Sequence, residues 1–135
     1  MIFYKQDRFG GKDAPPKERG NCDKTCLASF LGISPGEIPD YQELPAGEWH
    51  DVRFDFLQKR GLAAFAVSFI APLVPGYCLV IGKSPRGDWD HVVIGLVRRD
   101  NRVHVEYVHD PHPDQTFVDG VKYLEYILPM KETYP

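Results

Sequence analysis

The sequence predicts an α+β fold, and two observations carry that prediction. Up to Arg60, apolar residues recur at helical spacing. From Leu62 onward the pattern changes to short β-branched or aromatic runs separated by Pro, Gly or Asp-Asn signals. Helices first and strands afterwards imply helices packed on an antiparallel sheet. At 135 residues the chain suits one domain that needs no disulfide or metal to hold it.

The elements follow in order. Residues 10–20, GGKDAPPKERG, carry glycines, paired prolines and mixed charge, and read as a flexible loop. Asn21 is a good N-cap, so a helix opens at Cys22. Its apolar face continues through Leu27, Phe30 and Leu31 until Gly32 stops it. Ser34-Pro35-Gly36-Glu37 reads as a capping box opening one short turn. A second helix is expected from Glu48 to Arg60, with Trp49, Val52, Phe56 and Leu57 on one face and Gly61 ending it. Strands are expected at Ala63–Phe69, Gly76–Ile81, His91–Val97, Arg102–Val108 and Val121–Leu128. In the fourth, Val103, Val105 and Tyr107 alternate with Arg102, His104 and Glu106, so one face should be wet.

Several function classes are disfavoured. A net charge of -3 with scattered basic residues argues against nucleic-acid binding. The longest apolar run, Leu62 to Ala71, is too short to span a bilayer, and Met1 to Lys12 lacks the apolar core of a signal peptide. Three cysteines do not make a disulfide framework, so reduced thiols and a cytoplasmic location are expected.

The chemistry-bearing residues sit at element ends. Cys22 lies in the first turn of a helix, where the macrodipole and free N–H groups favour a thiolate and an oxyanion. His91, in GDWDHVVIGL, stands at the mouth of a strand apolar enough to be central. Asp110 directly follows the next strand and precedes Pro111. If those two strands form a hairpin through Arg99-Asp100-Asn101, Asp110 lies beside His91. That is where a carboxylate must stand to orient an imidazole. Nucleophile, base and orienting group therefore occur in the order Cys22, His91, Asp110. Cys26 reads as a core thiol with a redox partner of Cys22 as the other reading, and Cys78 as strand core.

These residues resemble the papain-like cysteine peptidase superfamily. The pattern is similar to that of the peptidases that cleave double-glycine leaders from bacteriocin precursors, and to that of small uncharacterised bacterial and phage proteins. The matching stretches are NCDKTCLASFLG, HVVIGL and HDPHPD, and the resemblance covers roughly residues 20 to 112. It implies a papain-like fold with the nucleophile at a helix N-terminus, and thiol-dependent acyl transfer: a peptidase, isopeptidase or amidase. It implies no cofactor or metal, and a peptide or protein substrate. Two departures stand out. The family places an oxyanion-donating glutamine six residues before the nucleophile, where this chain has Pro16; Gln6 takes that role if the 10–20 loop is an insertion. The glycine that follows the cysteine in the family is Asp23 here, a charge that opposes thiolate formation.

Arg86 and Trp89, in the loop KSPRGDW, are candidates for a rim that grips substrate. His109 and His112 flank Asp110 and compete with His91 for the role of base. Two other readings stand beside the enzyme. One is a papain-like fold used only for binding. The other is a small domain stabilised by zinc on Cys22, Cys26, His109 and His112.

Overall fold

A computed structural model describes residues 1–68 and 73–130. It has two helices, α1 (Cys22–Leu31) and α2 (Ala46–Lys59), and five strands. The strands are β1 (Leu62–Ser68), β2 (Gly76–Lys83), β3 (Asp90–Arg99), β4 (Val103–His109) and β5 (Val121–Pro129). They form one antiparallel sheet in the order β1-β5-β2-β3-β4, so the last strand inserts between the first two. The α+β class and all five expected strands are present. The end of the first expected strand, Phe69, lies outside the described residues.

α1 is the central helix. Its residues Cys26, Leu27 and Ala28 are fully buried, against Leu79, Ile81, Val92, Ile94 and Ile127 of the sheet. Burying one such leucine contributes about 2 kcal/mol. A second apolar cluster, with Cys78, Val80, Val93, Val97, Leu124 and Tyr126, is formed by the alternate residues of the same strands. β3 contributes to both clusters, as a central strand must. Gly32 ends α1 with φ 69°, in the left-handed region where a side chain is strained.

Three expectations need correction. Asn21 precedes α1, but its side chain does not cap the helix. Its Oδ1 accepts from the Arg8 N–H at 3.2 Å and its Nδ2 donates to Asp7 at 2.7 Å. The side chain is spent on holding the N-terminal segment against the helix entrance. α2 begins at Ala46, two residues before expected, because the Pro45 carbonyl accepts from Glu48 and Trp49, both at 3.0 Å. Proline lacks a donor there, not an acceptor. On β4, the side expected to be covered is half-open: Val103 and Tyr107 remain exposed because β4 is an edge strand. A bulge between Ile94 and Gly95 then shifts the register, so Val108 and His109 both turn inward at its end.

The capping box is present: Glu37 accepts from the Ser34 N–H at 3.0 Å, and Ser34 Oγ accepts from Gly36 at 3.3 Å. The 10–20 segment is an excursion with a closed neck. The Gly10 N–H donates to Glu18 O at 2.8 Å and the Gly20 N–H to Gly10 O at 2.7 Å. It contains one short 3₁₀ turn, Pro16–Glu18, and returns the chain to the start of α1. Among the described residues, no helix is long and apolar enough to cross a membrane.

Candidate active site

The hairpin of β3 and β4 turns at Asp100–Arg102, with Ile94 opposite His109. The chain leaves β4 at Asp110 beside the start of β3, where His91 is the second residue. Both are buried: His91 is 2% exposed and Asp110 is 0% exposed. His91 Nε2 lies 2.7 Å from Asp110 Oδ1. Cys22, the first residue of α1, lies close enough to the His91 ring to raise its pKa. With Nε2 engaged by Asp110, Nδ1 is the ring nitrogen left for the thiol. The three residues separated by 88 positions in the sequence thus meet at one point.

Asp110 is held from three directions. Besides His91, Oδ1 accepts from the His112 N–H at 2.9 Å and Oδ2 from the Phe117 N–H at 2.8 Å. Burial acts against the charged form, but these bonds outweigh it and hold the carboxyl below the ordinary carboxylate value. The loop is strained to make them. Phe117 (φ 61°) and Gln115 (φ 56°) both adopt left-handed backbone without being glycine. Gln115 in turn donates to Asp110 O at 2.8 Å. The surrounding loop is therefore shaped around one carboxylate.

The charge on His91 follows from this. Burial disfavours the imidazolium, but the Asp110 bond and then Cys22 outweigh burial and push its pKa up to about 9. Of the three candidate histidines, only His91 meets the Asp110 carboxylate with its ring. His109 Nε2 donates to Tyr4 O at 2.7 Å and the ring stacks on Phe3, which ties the N-terminal segment to β4. His112 accepts from the Asp114 N–H and stands edge-on to His91 at 6.5 Å.

The other two cysteines are set apart by burial. Cys26 is 0% exposed, its Sγ donates to Val92 O at 3.4 Å, and burial pushes its thiol well up. Burial also pushes Cys78, in the second cluster, up to about 12. Cys22 alone is partly exposed, in a cleft of about 800 Å³ that it lines together with His91.

Gln6 also lines that cleft and is 6% exposed. Its N–H donates to Pro111 O at 3.0 Å and its Nε2 to Arg8 O at 2.8 Å, while Oε1 is buried without a partner. The 10–20 excursion lies between Gln6 and the helix, so the two come together despite their distance in sequence. Arg86 and Trp89 line the same cleft. Arg86 is committed to Asp114 at 3.1 Å and Thr116 at 2.9 Å. Trp89 bridges two loops: a Cβ on Gly87 would sit 1.9 Å from its ring, and one on Gly11 2.9 Å. Both positions must be glycine for the indole to lie there.

The zinc reading finds no geometric support. His109 and Cys26 point to separate partners. Among the described residues no group of three or more His, Cys, Asp or Glu side chains is placed to hold a metal ion.

One part of the site was not anticipated. The Asp23 carboxylate receives Arg53 Nε at 2.7 Å and Nη2 at 3.3 Å, and also the Tyr41 hydroxyl. The same guanidinium reaches Glu125 on β5, with Nη1 at 3.2 Å and Nη2 in contact as well. Arg53 is 7% exposed. Burial disfavours its charge, but Asp23 and Glu125 outweigh burial and raise its pKa further. Glu125, sharing that one cation with Asp23, is held above the ordinary value, mainly by burial. The signal in the sequence was the position of Arg53 on the Trp49, Val52, Phe56, Leu57 face, as the one cation in an apolar stripe.

No protein-family model, no curated protein and no solved structure matches the chain. The functional reading therefore rests on the residues and their geometry.

Proposed function

We propose that the protein is a thiol-dependent acyl-transfer hydrolase of papain-like architecture, acting on a peptide or protein substrate. One observation carries this reading: a buried 2.7 Å Asp110–His91 pair whose imidazole also meets the one partly exposed cysteine at a helix start. A histidine used only for packing needs neither the carboxylate nor the thiol.

The mechanism follows from the contacts. His91 takes the Cys22 proton on Nδ1, and Asp110 on Nε2 stabilises the resulting imidazolium. Cys22 Sγ attacks the carbonyl carbon, forming the C–S bond as the carbonyl oxygen becomes an oxyanion. The Cys22 N–H, which opens α1 and has no helical acceptor, is one donor for that oxyanion. The second hydrogen on Gln6 Nε2, the one not given to Arg8 O, is the other. The oxyanion collapses and the C–N bond breaks as His91 protonates the leaving amine; water, deprotonated by His91, then attacks the thioester, and C–S cleavage releases the acid and returns Cys22. The open cleft, lined in part by Trp89 and Arg86, suits an extended chain better than an enclosed small molecule.

The test is turnover on a library of peptide amides. Wild type cleaves a subset, Cys22→Ser and His91→Ala lose cleavage by about 10²-fold or more, and Cys26→Ser retains it. Equal loss in all three variants would contradict the assignment.

A further inference from the structure

The residue after the nucleophile carries a full negative charge, and that charge sits in the same first turn of α1 that the thiol depends on. Left alone, the Asp23 carboxylate would repel an anion forming on Cys22 and cancel part of the favourable field of the helix start. The structure does not leave it alone. Arg53 grips it through two nitrogens from α2, and Tyr41 donates to it as well. The other cation of that turn, Lys24, is not available for this, because it is held by Asp40 at 2.6 Å.

We propose that Arg53 is a positioning residue of the thiol site: it neutralises Asp23 so that the helix start keeps its favourable field at Cys22. The inference rests on Cys22 being the nucleophile. It accounts for a guanidinium 7% exposed in the lining of the cleft, where an apolar side chain of similar volume would cost less to bury. Glu125 sets the strength of the effect. It draws the same guanidinium toward β5, so Asp23 holds only part of one positive charge. Arg53 touches no reacting atom; it acts through Asp23.

The experiment is the rate of Cys22 alkylation by iodoacetamide at pH 6.5, with the modified residue mapped by mass spectrometry. The full chain is compared with Arg53→Gln, Arg53→Gln/Asp23→Asn, Glu125→Gln and His91→Ala. Arg53→Gln should slow Cys22 by about tenfold, equivalent to about 1.4 kcal/mol. Adding Asp23→Asn should restore most of the rate, although the ion network stays broken. A merely structural Arg53 gives no such rescue. Glu125→Gln, an isosteric change that frees the guanidinium for Asp23, should raise the rate by about twofold and serves if Arg53→Gln does not fold. An unchanged rate in Glu125→Gln together with no rescue by Asp23→Asn, or no slowing in a folded Arg53→Gln, would overturn the inference. If His91→Ala also leaves the rate unchanged, the failure lies with the nucleophile reading itself.

Discussion

Two buried polar clusters start from adjacent residues of α1 and differ in almost every other respect. From Cys22 runs the line to His91 and Asp110, two neighbours brought together by the β3–β4 hairpin. From Asp23 runs the line to Arg53 and Glu125, which joins α1 to α2 and to the last strand. The first contains a proton that can move, since both a thiol and an imidazole titrate. The second contains charges that stay fixed, since a guanidinium does not lose its proton. On the proposed function, the first cluster changes state and the second keeps a charge from interfering with that change.

Their expected responses to substitution differ accordingly. The largest effect on stability belongs to the fixed cluster. Arg53→Met leaves two carboxylates, both largely buried, without their cation, and should cost about 3 kcal/mol in chemical denaturation. Asp110→Asn should cost less, about 1–3 kcal/mol, because the amide keeps one oxygen: either the Phe117 N–H loses its acceptor, or the His112 N–H and the His91 ring do. If the order were reversed, the contrast between a structural and a chemical cluster would fail.

The smaller effect is on pH dependence, and it belongs to the titrating cluster. His91 has a folded pKa of about 9 against an ordinary 6.5, so its contribution to stability is complete below 6.5 and is lost as pH rises through about 9. The imidazole resonances should therefore titrate near 9 in wild type and well below that in Asp110→Asn. Arg53→Met should leave the His91 midpoint closer to wild type than Asp110→Asn does. A His91 midpoint near 6.5 in wild type would remove the pair from the account.

The same contrast explains what was legible in the sequence. Cys22, His91 and Asp110 each stand at the end of a regular element, and helix starts, strand entrances and Asp-Pro exits leave local signatures. A two-strand hairpin then brings the last two together without any knowledge of the rest of the fold. Arg53 and Glu125 had no such route. Their meeting depends on β5 inserting between β1 and β2, a non-local pairing that no local pattern specifies. Asn21 shows the limit at short range: its residue type fits a cap, but a competing partner, the Arg8 N–H, took its oxygen. The left-handed Gln115 and Phe117 were equally hidden, because their conformation is imposed by the carboxylate they surround rather than by their own preference.

The most direct test of the central claim is alkylation by iodoacetamide from pH 4 to 10, with peptide mapping of all three cysteines in wild type and His91→Ala. The account predicts that Cys22 alone reacts rapidly below pH 8, while Cys26 and Cys78 stay protected by burial and by their raised values. Removing His91 should abolish that selectivity. If Cys22 is unreactive, or reacts at the same rate with and without His91, the thiol–imidazole pair at the start of α1 is not a nucleophile and its base.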